Sequence, residues 1–277
     1  RMGHLDGKVA LVTGAGGQNG IGRAIARRLA EDGADVAVND LVAKPRQGAD
    51  WLGLPAVVAE IEALGRRSLA IAADVADAAQ VDAMVHRVVD ELGGLDIMVT
   101  NAGTPAGRDR VPIVDLEQEH WDRVLRVNAT GTFLCCRAAA RAMIAARRGG
   151  RIITMSSVTG KRGVARFGAY ASSKFAVIGL TQVLAHELGA HGITVNALCP
   201  GTIDTERFHD IAEATRAEGI SREQQHRRIL AGAVRATPLG RVGTATDVAR
   251  AAAFLAGPDS EFMTGLAVPV AGGMYMQ

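Results

Sequence analysis

Residues 13–22 read Thr13-Gly14-Ala15-Gly16-Gly17-Gln18-Asn19-Gly20-Ile21-Gly22, between an apolar run, Lys8–Thr13, and a stretch of helical spacing, Ile21–Asp32. Glycines let the backbone turn tightly and approach a pyrophosphate with no Cβ in the way. The amino end of the following helix offers free N–H groups. A glycine cluster alone marks any tight turn, but a strand before it and a helix after it point to dinucleotide binding.

Outward from that turn the same alternation continues. Strand-like runs are expected at Asp35–Asn39, Ser68–Ala72, Ile97–Asn101, Arg151–Met155, Thr194–Leu198 and Leu266–Val270. Helical spacing is expected at Pro55–Leu64, Ala78–Leu92, Glu117–Ala146, Ala169–His191 and Thr246–Ala256. Continuous Val/Ile/Leu runs separated by helices predict a parallel sheet covered on both faces. The fold class is therefore α/β, a single doubly wound Rossmann-type sheet in one domain spanning 1–277. Two segments interrupt the alternation. Leu41–Leu54 is a long connection with Pro45. Thr202–Pro238 is a longer polar excursion, with weak helices near Glu206–Ala217 and Ser221–Val234, and is expected to act as a substrate lid. Its arginines, Arg216, Arg222, Arg227 and Arg228, read as solvated.

Apolar residues are 48% of the 277 and aromatics only 4%, so the core is aliphatic, which suits Ala-rich helices on a sheet. The net charge of +2 with scattered basic residues gives no reason to expect nucleic acid. No membrane span or signal peptide is read, and Arg1 ahead of Met2 reads as an expression remnant. Cys135, Cys136 and Cys199 form no CxxC pair, and the two neighbours on one helix point to different sides of it. Reduced, structural thiols in a cytoplasmic protein are expected.

Asp40 ends the second strand, where a carboxylate can accept bonds from adenosine ribose hydroxyls and repel a 2′-phosphate, which favours NAD over NADP. Lys44 and Arg46 nearby pull the other way. Asp74-Val75 after the third strand and Asn101-Ala102-Gly103 after the fourth share the edge along which a dinucleotide would lie.

Tyr170-Ala171-Ser172-Ser173-Lys174 places a phenol and an ammonium at i and i+4, on one helix face. Free tyrosine titrates near 10, roughly three units too high for a base at neutral pH; a lysine cation and an oxidised nicotinamide both favour phenolate. Ser157, at the end of the Arg151–Met155 strand, can donate to a substrate oxygen. Val164, Ala165 and Phe167 between them are apolar candidates for the substrate wall. Two alternatives fail. His186-Glu187 with His191 resembles a zinc-binding HExxH, but the second histidine comes one residue late, rotated by roughly 140°. Ser157 lies in MSSVTG, not in the GxSxG of a hydrolase.

The YxxxK with Ser157 upstream, the glycine turn, the NAG at 101–103, and Asn128 in NATG resemble the short-chain dehydrogenase/reductase family. Pro200-Gly201-Thr202 and the PLGRVG…DVA…FL…TG ending, Pro238–Gly265, are similar too, and the resemblance covers Leu5–Gly273. It implies Tyr170 as general acid/base and Ser157 as polariser of the substrate oxygen. Lys174 would tune the tyrosine and bind nicotinamide ribose, and Asn128 would hold a water linked to Lys174. Gly14, Asn19, Gly20 and Ile21 would lie along the pyrophosphate, and Pro200, Gly201, Thr202 and Ile203 near the carboxamide. Ser157, Val164, Phe167 and Tyr170 would meet the substrate. Two departures stand out. Five residues separate Gly14 from Gly20, a longer turn that resembles the enoyl-reductase branch, although Tyr170 and Lys174 keep the ordinary spacing. VAGG (Val270–Gly273) stands where an acidic residue is common.

The expected function is NAD-dependent interconversion of a secondary alcohol and a ketone. The rivals are an NADPH-dependent 3-oxoacyl thioester reductase and a non-catalytic nucleotide sensor. A homotetramer is expected. Its interfaces would be built on small residues of two long helices (Ala138, Ala139, Ala142; Ala176, Gly179, Ala185) and on Met274–Gln277.

Overall fold

The computed structural model describes residues 3–44 and 50–276, without the side chain of His209; Pro45 and Arg46 therefore lie outside the described residues. In chain order, β1 (Val9–Thr13) and α1 (Ile21–Glu31) flank the glycine turn, and β2 (Asp35–Asp40), α2 (Leu54–Ala63), β3 (Ser68–Ala72), α3 (Ala78–Leu92) and β4 (Ile97–Thr100) follow. The second half holds α4 (Gln118–Leu125), α5 (Thr132–Ala146), β5 (Gly150–Met155), α6 (Gly168–Leu188) and β6 (Ile193–Pro200). It ends with β7 (Ile203–Asp204), α7 (Glu206–Ala214), α8 (Arg222–Ala236), β8 (Gly243–Thr244), α9 (Ala245–Ala256) and β9 (Ala267–Val270).

Seven strands pair in parallel in the order β3-β2-β1-β4-β5-β6-β9. The aliphatic runs explain this. β1 is buried along all five residues, which only a strand covered on both faces allows. Ile25 and Leu29 of α1, Val57 and Ile61 of α2 and Val248 and Leu255 of α9 pack one face. Val81 and Val88 of α3, Cys135 and Met143 of α5 and Leu188 of α6 pack the other. The chain winds outward from β1 in one direction and from β4 in the other. Their carboxyl ends therefore splay into a crevice at the topological switch point.

One expectation needs correction. Helical spacing over Glu117–Ala146 is not one helix: Arg126–Gly131 widens into a π-type turn between α4 and α5. The Thr132 hydroxyl donates to the Asn128 carbonyl (2.7 Å), while the Asn128 side chain is held from outside the helix by Thr104 and Ser173. Gly131 lets the widened turn rest on Val75, since a Cβ there would stand 2.9 Å from Val75 Cγ2. The excursion after β6 holds the two expected helices as α7 and α8, and it adds an unforeseen pairing of β7 with β8, which lies just beyond its end. Such two-residue strands are too short to show a period. Cys135 and Cys136 are free thiols, both buried in the same core cluster. Among the described residues, no helix is long and apolar enough to cross a membrane.

Candidate active site

A cavity of ≈ 830 Å³ opens along the carboxyl edge of the sheet, from Asp40 and Asp74 at one end to Tyr170 and Phe208 at the other. At its first end Gly14 adopts a left-handed φ of 65°, and a Cβ there would stand 2.7 Å from the Ala102 Cα; only glycine permits that approach. Asn101 Nδ2 donates to the Thr13 and Gly14 carbonyls (3.0 and 2.9 Å), and the Ala102 N–H donates to Thr13 Oγ1 (3.1 Å). The β1 and β4 turns are thus fastened together. Asp40 Oδ2 accepts from the Gly16 N–H (2.9 Å), and Trp51 Nε1 donates to the Gly16 carbonyl (2.6 Å), so the lengthened turn is braced from two sides. Asp74 is paired with Arg126 (3.2 Å) and caps the Ala76 N–H (2.9 Å). Gly20, Ile21, Val75, Gly103, Pro200, Gly201, Thr202 and Ile203 line the same cavity. Asn19 presents its N–H beside it, where a carboxylate already accepts it: Glu206 Oε1, at 3.2 Å.

At the second end α6 begins under the cavity. Lys174 is 3% exposed, and its Nζ donates to the Met155 carbonyl at the end of β5 (2.7 Å) and stands 5.7 Å from the Tyr170 ring centroid. No carboxylate is paired with it among the described residues. Burial, reinforced by Arg207 and opposed by Cys199, brings the Lys174 ammonium down to about 7. Ser156 Oγ donates to the Lys174 carbonyl (2.8 Å), fixing α6 on β5. Ser157 is buried with its Oγ accepting from the Thr159 N–H (3.1 Å), and it lines the cavity with Tyr170. Asn128 is wholly buried. Its Oδ1 accepts from the Thr104 N–H (2.9 Å), its Nδ2 donates to Ser173 Oγ (3.0 Å), and that hydroxyl in turn donates to the Tyr170 carbonyl (2.7 Å). The Asn128 side chain thus braces the start of α6. Val164 and Phe167 reach the cavity, while Ala165 is exposed outside its lining.

Three contributors had no legible signal in the sequence. Arg110, 3% exposed, lies against both the Phe167 and Tyr170 rings (4.5 and 4.8 Å to the centroids) and is paired with buried Asp109. Burial pulls the Arg110 guanidinium below its ordinary value, and Asp109 and Tyr170 oppose that pull. Glu206 and Arg207 open α7, with Arg207 donating to the Gly103 carbonyl (2.5 Å). Arg110 sits in a loop without periodicity and Glu206 and Arg207 at the start of a weakly patterned polar helix, so only the fold reveals their neighbours. His186, Glu187 and His191 are exposed, and no group of His, Cys, Asp or Glu among the described residues is placed to hold a metal.

Comparisons with known proteins bear on the whole chain. A family model described as enoyl-(acyl carrier protein) reductase matches residues 14–275. A short-chain dehydrogenase/reductase of Armillaria gallica is 44% identical, over 97% of this chain and 96% of that protein. A 3-oxoacyl-(acyl-carrier-protein) reductase of Staphylococcus aureus is 42% identical, over 97% and 98% respectively. Among solved structures, NAD+-bound xylitol dehydrogenase is 33% identical with a TM-score of 0.84, covering 97% of this chain and 99% of that one.

Proposed function

This chain belongs to the short-chain dehydrogenase/reductase family of oxidoreductases, and we propose that it interconverts a secondary alcohol and a ketone with NAD, using Tyr170 as general acid/base. The carrying observation is the second end of the cavity. A lysine buried without a carboxylate lies beneath a phenol and a serine that face the same space, a costly arrangement for stability alone.

The first end fits a dinucleotide on two grounds. Gly14 lets the β1 turn pack directly on the Ala102 backbone, which holds the glycine turn open along the cavity edge, and the Asn19 N–H is already met by an anionic group, the Glu206 carboxylate. Gly14, Gly20 and Ile21 would follow the pyrophosphate. Asp40 would take the adenosine ribose hydroxyls, with Asp74 and Val75 beside the adenine, and Asn101, Ala102 and Gly103 would lie along the second ribose. Pro200, Gly201, Thr202 and Ile203 would close on the carboxamide. A bound nicotinamide would supply the hydride chemistry at the alcohol or ketone carbon.

The protein's own groups move the proton. Tyr170 Oη takes it from the substrate hydroxyl during oxidation and gives it back during reduction. Ser157 Oγ donates to the same substrate oxygen and holds it in line. Lys174, protonated, stabilises the phenolate and reaches the ribose. Val164 and Phe167 supply the apolar wall. Residues 202–238 serve as the lid of a one-domain enzyme.

The specific second reading is reduction of a 3-oxoacyl thioester, favoured by the Staphylococcus aureus relative. A carboxylate at Asp40 would repel a 2′-phosphate on the adenosine ribose, which speaks against its NADPH. A cytoplasmic homotetramer completes the proposal. Of the small residues expected at its interface, Ala138, Ala139 and Ala185 are buried against their own core, whereas Ala176, Gly179, Phe175 and Val183 leave an exposed apolar stripe on α6. A panel of cyclic alcohols, polyols and 3-oxoacyl thioesters with either cofactor tests the reading. Turnover of an alcohol with NAD, lowered by about 10² or more in Tyr170→Phe, is expected. Thioester turnover with NADPH alone would replace it, and unchanged turnover in Tyr170→Phe would end it.

A further inference from the structure

Tyr170 has a second cation beside it. We propose that Arg110 is a positioning residue for the chemistry, its guanidinium packed on the Tyr170 ring so as to hold that ring and favour its phenolate. The inference rests on reading Tyr170 as the acid/base.

Arg110 lies on the loop after β4, where its N–H donates to the Gly107 carbonyl (3.1 Å). Asp109 is 1% exposed and orients the guanidinium, and it is itself held by the Gly107 N–H (3.1 Å). The guanidinium meets two rings, Phe167 and Tyr170, that stand edge-to-face at 6.3 Å and 73°. Its Nε has no hydrogen-bond partner among the described residues. A buried ion pair with an unsatisfied donor is poor stabilisation compared with apolar side chains of the same volume. What it does provide is a positive charge on the face of a ring. Attraction between a cation and a π face grows when the ring becomes a phenolate, because negative charge spreads into it.

The groups facing Tyr170 can be named. Lys174 comes from its own helix, Arg110 and Asp109 from the loop after β4, neutral Ser157 from the end of β5, and Arg207 from α7. Arg207 acts on both Lys174 and Arg110. Lys174, brought down to about 7, loses part of its charge near neutral pH. An arginine keeps its own, so Arg110 supplies the cation that persists as pH rises.

A purely structural role, stitching the loop to α6, is the alternative, and the sign of the charge separates the two. The chain has only two tyrosines, Tyr170 and Tyr275. In a Tyr275→Phe background the near-ultraviolet absorbance of phenolate therefore follows Tyr170 alone, with no substrate needed. Arg110→Met is expected to move the titration midpoint up by about one pH unit. Asp109→Asn, which leaves the guanidinium uncompensated, should move it down, and Arg110→Lys should restore most of the wild-type value. Arg110→Gln, polar and of similar reach, repeats the test should the methionine variant not fold. Midpoints unchanged across the set, or moved in one direction by both charge removals, would overturn the proposal even if turnover fell. If the wild type oxidises no alcohol, the titration still decides the role of Arg110. If Tyr170→Phe keeps full turnover, the catalytic reading fails whatever the midpoints do.

Discussion

Lys174→Met should make the cofactor-free protein more stable at neutral pH while abolishing most of its activity. Burial lowers the lysine from 10.5 to about 7. At about 1.4 kcal/mol per unit, keeping it protonated in the fold costs at most about 5 kcal/mol. Methionine removes that cost, but it leaves the Met155 carbonyl without its donor, a loss of about 1–3 kcal/mol. The net gain is about 2–4 kcal/mol, which raises Tm by about 4–8 °C for a chain of this size. The sign follows from the protons bound. Below about pH 7 both states hold the proton and the wild type bears the full cost. Between about 7 and 10.5 the unfolded chain binds more protons than the folded one, so wild-type stability rises with pH and the advantage of methionine shrinks. Above that window only the lost hydrogen bond remains and the variant is the weaker protein. Thermal unfolding followed by circular dichroism at about pH 6.5, 8 and 10 should show this crossover. A variant weaker than the wild type by the same amount at every pH would refute the reasoning.

The remaining predictions concern the cofactor, the lid, the thiols and assembly. NAD should exceed NADP in kcat/KM, and Asp40→Ala should narrow the gap by about tenfold; a wild-type preference for NADP would instead direct attention to Lys44. Glu206→Gln, which removes an anion from the Asn19 N–H, should tighten NAD binding by about two- to fivefold in calorimetry, and weaker binding would contradict the contact's competitive role. Burial raises the Cys135 thiol and pushes the Cys136 thiol up to about 12, so a thiol reagent should modify neither in the folded protein, and both should react in denaturant. Light scattering at micromolar concentration should give a tetramer mass, and Phe175→Asp on the exposed stripe of α6 should lower it; an unaffected tetramer would remove α6 from the interface.

The α/β architecture was legible because its signals are local. Uninterrupted aliphatic strands such as Val9–Thr13 have no place except inside a covered parallel sheet, and the glycine turn marks where the first of them meets its helix. Tyr170, Lys174 and Ser157 were legible because one helix and one strand end carry them at short spacing. The break at Arg126–Gly131 was not, since it is made by Thr104 and Ser173, partners distant in sequence. Arg110 escaped for a similar reason. An arginine in a polar loop looks solvated until the fold lays Phe167 and Tyr170 against it. The α5 stripe misled, because small residues that pack closely on a sheet have the same spacing as small residues that pack on a partner.

Glu206 and Arg207, adjacent in sequence, hold the two turns between which a dinucleotide must lie, one at the Asn19 N–H and the other at the Gly103 carbonyl. On the proposed reading, the excursion after β6 thus rests on the residues that would hold the cofactor. A dinucleotide would then displace it by offering the glycine turn a better anion, whereas an uncharged alcohol would have nothing to exchange for either contact. Sequential arrival is therefore expected, nucleotide before alcohol. In steady-state kinetics the signature is a reduced nucleotide that competes with NAD, alongside a ketone product that does not.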